Sequence, residues 1–345
     1  MIWLTWRQFR VQFLVVAAAV LAVGIVLAAT GPGLADDYRQ LADRFIDSLK
    51  FQRLNPVLYQ VGQLLLYATP PVIGAFWGAP LIARELETGT HRLVWGQSIS
   101  RWRWLATKVG LGGLAAIVVT GALSLAVTWW SSPIDQALNA GQEASNYMPR
   151  MFPPIFSARG LVPVGYAAFA FALGVAVGLV VRRTLVALAV TLAVVILVQV
   201  LTPSLIRPNL MAPTDRLIVA TGENLRGFML SGPGPSPQVV KMEVGIDAVG
   251  GWKLSDETVD KTGKAVSTLP QWMVDCEPAG PRQGETSPKA AACFQRLADE
   301  GYRNHVRYFT ADKFWALQWR EFGLFLLLAF ALTGFSFWRI RRDLS

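Results

Sequence analysis

Charged residues and familiar catalytic motifs are scarce in this sequence. Only 16% of its 345 residues are charged, against about 25% in a typical soluble domain. It contains no HExxH zinc motif, no GxSxG nucleophile motif and no GxxxxGKS/T phosphate-binding loop. Its one Gly-Lys pair, Gly263-Lys264, is followed by Ala265 rather than Ser or Thr. These absences exclude ATP hydrolysis through the usual P-loop and argue against an enzyme.

Apolar residues are abundant and grouped into six long runs. They make up 53% of the chain, and a run of about 20 of them is long enough to cross a bilayer as a helix. We therefore predict an all-α polytopic membrane protein with six transmembrane helices. The first run is longer than the 7–15 residues of a signal-peptide core, which favours a membrane helix over a cleaved signal. The runs are Val11–Ala29, Val61–Ala83, Val109–Trp130, Leu161–Val181, Thr184–Leu201 and Phe322–Trp338.

The excess positive charge is confined to four short segments between or beside these runs. They are the N-terminus with Arg7 and Arg10, the segment Ala83–Lys108, the pair Arg182-Arg183 and the C-terminal tail. Together they carry the whole formal net charge of +9, and six spans would place them on one side. The positive-inside rule puts that side, with both termini, in the cytoplasm. Topology explains the charge better than nucleic-acid binding does, so we expect no nucleic-acid partner.

Three segments are predicted to face outward, of which residues 131–160 are Pro-rich and predicted to be irregular. Residues 31–60 carry apolar residues at helical spacing, which indicates an amphipathic helix on the outer surface. The large segment 202–319 is predicted to form an extracytoplasmic domain, α+β or irregular, between the fifth and sixth helices. The chain would thus comprise residues 1–201 with five spans, this outer domain, and residues 320–345 with the last span and the tail.

Cysteine and histidine each occur only twice. Cys276 and Cys293 both lie in the predicted outer domain, where oxidising conditions favour a disulfide; two independent free thiols are the alternative. His91 and His305 are predicted on opposite sides of the membrane, which excludes a two-histidine metal site. We expect no metal and no cofactor in this chain.

The predicted spans contain no charged residue, and their motifs are simple. A proton- or ion-coupled pump usually needs charged groups near the middle of the bilayer, so the energy source is expected on another polypeptide. Gly74-xxx-Gly78 and Gly174-xxx-Gly178 have the spacing that lets helices approach closely. The same spacing also arises by chance in a glycine-rich chain.

The segment between the second and third runs combines charge with helix signals. Glu85 and Glu87 follow the second run, Gly89-Thr90 provides a break, and Ser100 is placed to cap a helix that begins at Arg101. These features predict a bent cytoplasmic elbow suited to docking a partner. An ordinary basic interfacial loop would have much the same composition.

The order of residues in this segment resembles the ABC-2 type permeases, the membrane subunits of one class of ABC exporters. The matching residues are Glu87-Thr88-Gly89-Thr90, then Ser100-Arg101, then Lys108 at the start of the next span. The flanking pattern, together with Thr5–Arg10, is similar to permeases of high-GC Gram-positive bacteria. The predicted outer domain departs from the family, in which this connection is usually shorter.

The resemblance implies a division of labour between two polypeptides. A separate ABC ATPase subunit would bind ATP and Mg, in two copies, against two copies of the permease, most simply a homodimer. The segment Met1–Arg10 would be a short amphipathic helix along the inner leaflet of the bacterial plasma membrane. The residues implied in the loop that couples to the ATPase are Arg84, Glu85, Glu87, Gly89, Thr90, Arg92, Ser100, Arg101 and Lys108.

By the same analogy the second and fifth spans would line a pathway between two permease copies. Pro70 and Pro71 free backbone groups in the second span and permit bending, while Thr191 and Gln199 lie near one face of the fifth. Packing inside one copy explains these four residues equally well.

The resulting prediction is the permease of an ATP-driven exporter for a hydrophobic or amphipathic substrate. The alternative is a membrane-anchored sensor or partner-binding protein that recognises a ligand through its outer domain. A membrane-embedded enzyme is disfavoured because no catalytic constellation is present.

Overall fold

The computed structural model confirms six helices that are long and apolar enough to cross a membrane. The residues it describes are 2–50, 52–90, 100–142, 146–221, 224–231, 238–245, 248–270, 272–273 and 288–342. The chain divides into two compact units, one formed by Met1–Met211 with Lys313–Ser345 and the other by Ala212–Asp312. We call them the membrane unit and the small unit.

The membrane unit consists of helices joined by turns and short irregular stretches in the part of the chain that is described. Two of its helices are extended by π-helical turns, Ile73–Gly78 after α3 and Thr202–Ile206 after α8. The helices are α1 Ile2–Leu41, α2 Phe45–Leu49, α3 Leu54–Val72, α4 Ala79–Glu87, α5 Arg101–Asn139, α6 Pro153–Ser157, α7 Val162–Val181 and α8 Thr184–Leu201.

The small unit follows α8 in the chain and is a mixture of strands and one helix, as predicted. Two antiparallel sheets have the strand orders β1-β5-β4 and β2-β3. The described elements are β1 Thr214–Ile218, β2 Leu225–Ser231, β3 Gln238–Val244, β4 Trp252–Val259, α9 Pro288–Asp299 and β5 Arg303–Phe309. The chain then returns to the membrane unit as α10, Phe314–Arg342.

The small unit is shorter than the predicted outer domain at both ends. Residues 202–209 extend α8 through helical turns, and Phe314 already begins α10. Cys293 lies in α9, but Cys276 lies outside the described residues. The predicted disulfide and the side of the membrane on which this unit lies therefore stay predictions.

The N-terminal prediction of a separate interfacial helix is wrong. Helix α1 runs without a break from Ile2 to Leu41. No glycine or proline precedes Gly24 in the sequence, so nothing ends the helix near Arg10. The predicted outer amphipathic helix is also divided, because a positive φ at Ala42 separates α1 from α2. Leu34, Phe45 and Leu49 are buried in the protein core.

Helix α7 forms the centre of the membrane unit. It is apolar on all faces, which is typical of a helix with neighbours on every side. Of the 18 most apolar consecutive residues of α7, 67% are buried. The corresponding share is smaller in each of the other candidate spans of the described chain.

The two glycine pairs confirm the predicted close approach. A Cβ atom on Gly174 would lie 2.3 Å from the carbonyl oxygen of Gly74, and one on Gly78 would lie 2.5 Å from the carbonyl oxygen of Phe171. Side chains larger than hydrogen therefore do not fit where α7 crosses the π-helical turn and α4.

We expect Gly174→Ala to destabilise the membrane unit by about 1–3 kcal/mol, because the added methyl group forces two backbones apart. Thermal unfolding of the detergent-purified protein measures the loss. Gly24→Ala is the matched control, since its Cβ would meet nothing within 4 Å. Equal melting temperatures for both variants would contradict the tight crossing.

Candidate functional site

A buried ion pair joins α4 to α5 at the base of the predicted coupling segment. The Nζ atom of Lys108 lies 2.7 Å from Oε1 of Glu85 and 3.3 Å from the carbonyl oxygen of Leu81. The indole N–H of Trp104 donates to Oε2 of Glu85 at 3.0 Å. The side chains of Lys108 and Glu85 are only 3% and 13% exposed. We call Glu85, Trp104 and Lys108 the clamp.

The two ends of the segment have the local structures that the sequence predicts. Gly89 adopts a φ of +71° just after α4, a conformation that commonly ends a helix and favours glycine. Ser100 caps α5, its Oγ accepting a hydrogen bond from the Arg103 amide at 3.3 Å. Both helices therefore stop and start at defined positions.

A third helix is tied to this region by Glu87. Its Oε2 accepts a hydrogen bond from the Thr184 amide at 2.9 Å, at the first turn of α8. A carboxylate there satisfies an otherwise unpaired N–H and interacts favourably with the positive end of the helix dipole. The exposed end of α4 is thereby linked to α8 as well as to α5.

A cleft of about 470 Å³ opens between α1, the π-helical turn, α4 and α5. Of the predicted coupling residues, Arg84, Glu85, Thr90 and Lys108 line it. The other lining residues are Gln12, Phe76, Trp77, Pro80, Leu81 and Thr88.

The other predicted coupling residues that the structure describes do not line the cleft. Gly89 and Ser100 shape the helix ends, Glu87 caps α8, and Arg101 is half-buried in the first turn of α5. Arg92 lies outside the described residues, as do all of residues 91–99. Glu85 and Lys108 face each other inside the protein and join the two helices that flank the segment.

The four predicted pathway residues do not share one exposed face. Thr191 is fully buried within the membrane unit, and the expectation that its side chain lines a pathway between copies is wrong. Pro71 has no N–H to donate to the Tyr67 carbonyl oxygen, four residues earlier. Nε2 of Gln199 donates to that oxygen instead, at 3.2 Å.

An apolar groove of about 500 Å³ lies beside this contact. Pro71 and Gln199 line it, whereas Pro70 is buried and is not part of its lining. The other lining residues are Leu64, Tyr67, Ala68, Pro153, Pro154, Ile196, Val200 and Pro203.

A second buried ion pair, which sequence reasoning missed, lies near the other end of the membrane unit. Arg207 contacts Glu321 through Nε–Oε2 at 2.7 Å and Nη2–Oε1 at 3.0 Å, and both side chains are 0% exposed. The Tyr166 hydroxyl donates to Oε1 of Glu321 at 3.0 Å. The guanidinium also donates to the Pro153 carbonyl oxygen at 3.0 Å and to the Ser157 hydroxyl at 2.5 Å.

A neighbouring amide completes the polar layer at this end. Gln318 is fully buried, and its Oε1 accepts from the amides of Leu161 and Val162 at 2.9 and 3.0 Å. Its Nε2 donates to the Phe156 carbonyl oxygen at 3.0 Å. Together with Glu321 it fixes α10 against the start of α7. The available signal was an amide and an acid about one helical turn apart, just before the sixth apolar run.

A family model described as ABC-2 membrane transporter related matches residues 11–207. The matched region is more than half of the chain, and it covers all or nearly all of five of the six candidate spans and the whole coupling segment. The chain belongs to the ABC-2 membrane transporter related family. The predicted resemblance to ABC-2 type permeases is therefore confirmed, and the chain is a membrane protein of that kind.

The match ends at Arg207, before the small unit begins. The predicted departure of this unit from the family is consistent with that boundary. The comparison with curated proteins finds no match, and neither does the comparison with solved structures. The similarity of this ABC-2 permease to those of high-GC Gram-positive bacteria stays a prediction.

Proposed function

We propose that this ABC-2 permease is the membrane subunit of an ATP-driven exporter, coupled through residues 83–108 to a separate ATPase. The observation that carries the proposal is the clamp, in which Glu85 of α4 contacts Trp104 and Lys108 of α5 and so joins the two helices at the base of the coupling segment. The ATPase would bind ATP and Mg, and this chain would supply the pathway. A hydrophobic or amphipathic substrate suits spans that are apolar along most of their length.

A displacement of the coupling segment would be transmitted to the transmembrane helices through closely packed backbone contacts. Helix α4 continues into the π-helical turn, whose glycines touch the α7 backbone, and Glu87 links the same helix to α8. Packed backbones transmit displacement rather than absorb it. ATP-driven closure of the ATPase pair would supply the difference in affinity that shifts the permease between two conformations.

The complete transporter would contain two ATPase subunits and two permease copies, most simply a homodimer in a bacterial plasma membrane. The distribution of positive charge supports cytoplasmic termini and an outward-facing small unit. An outward position would also favour the disulfide between Cys276 and Cys293.

A membrane-anchored sensor is the second candidate. The compact small unit, with its own core around Val239, Met242 and Leu297, supports it. A simple anchor, however, needs neither six tightly packed helices nor a family-like coupling segment.

A large side chain introduced into the coupling segment tests whether the ATPase docks there. Thr90 is exposed, and we expect Thr90→Trp to reduce co-purified ATPase by about tenfold, equivalent to about 1.4 kcal/mol. The matched control is Asn146→Trp, at an exposed position in the connection between α5 and α6. Quantitative immunoblotting of affinity-purified complexes measures the ratio.

Two outcomes decide the experiment. Full complex formation by Thr90→Trp would refute docking at this segment. Equal loss in both variants would point to misfolding, and each variant is therefore first checked for a single symmetric peak on size-exclusion chromatography. Replacing Glu85 would be a poor test, because that carboxylate is buried in the clamp.

A further inference from the structure

One face of the second candidate span changes from apolar to cationic along its length. Phe76, Pro80, Arg84 and Thr88 follow each other at four-residue intervals, and all four line the 470 Å³ cleft. At 1.5 Å per residue the stripe is about 18 Å long. It thus runs from hydrocarbon depth to the interface, in the same order as the acyl chain and the phosphate of a phospholipid.

The two cations of the cleft have different surroundings. Lys108 is neutralised by Glu85 at 2.7 Å. Arg84 is exposed, and the structure, over the part of the chain that it describes, shows no ion pair for it. The cleft residues Arg84, Glu85 and Lys108 together carry one net positive charge. Thr88 and Thr90 add hydroxyl groups at the same end.

The deeper wall of the cleft suits an aliphatic chain. Phe76 is 50% exposed, although it lies within a candidate membrane span, and Pro80 and Leu81 add apolar lining beside it. In a bilayer these side chains would contact lipid hydrocarbon. A cleft that opens beside them is filled by an acyl chain more favourably than by water.

We propose that the cleft binds one anionic phospholipid. Its phosphate pairs with the Arg84 guanidinium, while an acyl chain lies on Phe76, Pro80 and Leu81. Arginine suits this task because its planar fork of N–H groups matches phosphate oxygens. A soluble phosphate ion would leave the apolar wall unused. The proposal does not depend on the ATPase partner.

Native mass spectrometry of the full-length, delipidated permease tests the proposal. The protein is incubated with equal amounts of phosphatidylglycerol and phosphatidylcholine that carry the same acyl chains. We expect retained phosphatidylglycerol to exceed phosphatidylcholine by about tenfold, because only its headgroup leaves the phosphate charge uncompensated. Arg84→Gln should abolish most of this preference.

Arg103→Gln is the matched control, since Arg103 is exposed near the same end but does not line the cleft. It should keep the preference of the unmodified protein. Leu81→Trp, which fills the cleft without changing its charge, should reduce retention of both lipids. Correct folding of each variant is checked by its melting temperature.

Three results would overturn the proposal. Equal retention of the two lipids by the unmodified protein would show that the cleft does not select an anionic headgroup. Equal loss in Arg84→Gln and Arg103→Gln would show general attraction to basic surface. Displacement of phosphatidylglycerol by millimolar inorganic phosphate, with no effect of Leu81→Trp, would show a site for a soluble anion.

Discussion

Replacing Glu321 with leucine is expected to destabilise the membrane unit by about 3–5 kcal/mol. The carboxylate accepts two hydrogen bonds from the Arg207 guanidinium and one from the Tyr166 hydroxyl. Its removal leaves the Arg207 guanidinium, which is itself 0% exposed, without the carboxylate that it contacts. Equilibrium unfolding in mixed micelles at increasing denaturing-detergent fraction measures the loss of unfolding free energy.

The double variant Arg207→Met with Glu321→Leu separates charge from packing. An apolar pair of similar volume removes both charges together, and such exchanges of buried ion pairs are often neutral or stabilising. We therefore expect it to recover most of the lost stability. Asp36→Leu is the control for an exposed pair, since Asp36 and Arg39 are 59% and 76% exposed and such pairs contribute less than about 1 kcal/mol. Equal effects of Glu321→Leu and Asp36→Leu would contradict the structural assignment.

Local patterns explain why much of the fold is visible in the sequence. Each predicted apolar run falls on a membrane helix, although several helices extend beyond their runs. The bilayer leaves few alternatives to a helix for such a run. The glycine spacings Gly74-xxx-Gly78 and Gly174-xxx-Gly178 and the cap at Ser100 likewise rest on residues only a few positions apart. Such features need no knowledge of which helices are neighbours.

Pairings between distant residues are the part that the sequence conceals. Arg207 and Glu321 are 114 positions apart, and each lies at the edge of an apolar run, where a charge is expected to be solvated. Only the packing of α10 on α7 brings them together in the interior. The apolar runs themselves contain no charged residue. Arg207 and Glu321 lie just outside them in the sequence and are nevertheless buried in the folded chain.

The coupling segment shows the same limit at shorter range. Its acidic and basic residues predict a polar interface, but composition does not indicate which side chains face inward. Glu85 and Lys108 meet across the α4–α5 contact, while Arg84, one residue away, is exposed. The helical rotation of about 100° per residue separates their environments.

Glu85 and Glu87 are consequently expected to respond differently to the same substitution. Glu85→Leu leaves the Lys108 ammonium group buried without its carboxylate and the Trp104 N–H without its acceptor, which should destabilise the protein by about 3 kcal/mol. Glu87→Leu removes one hydrogen bond to the Thr184 amide at an exposed helix start, worth about 1 kcal/mol. Thermal unfolding of the purified protein gives both values.

The comparison isolates the clamp, because the two variants share the charge change, the side-chain size and nearly the same position. Lys108→Met combined with Glu85→Leu should regain part of the stability, since the unpaired charge is gone while the Trp104 N–H still lacks its acceptor. Equal melting temperatures for Glu85→Leu and Glu87→Leu would show that the clamp is open to solvent. The base of the coupling segment would then be flexible, and a partner that pushed on it would move α4 without moving α5.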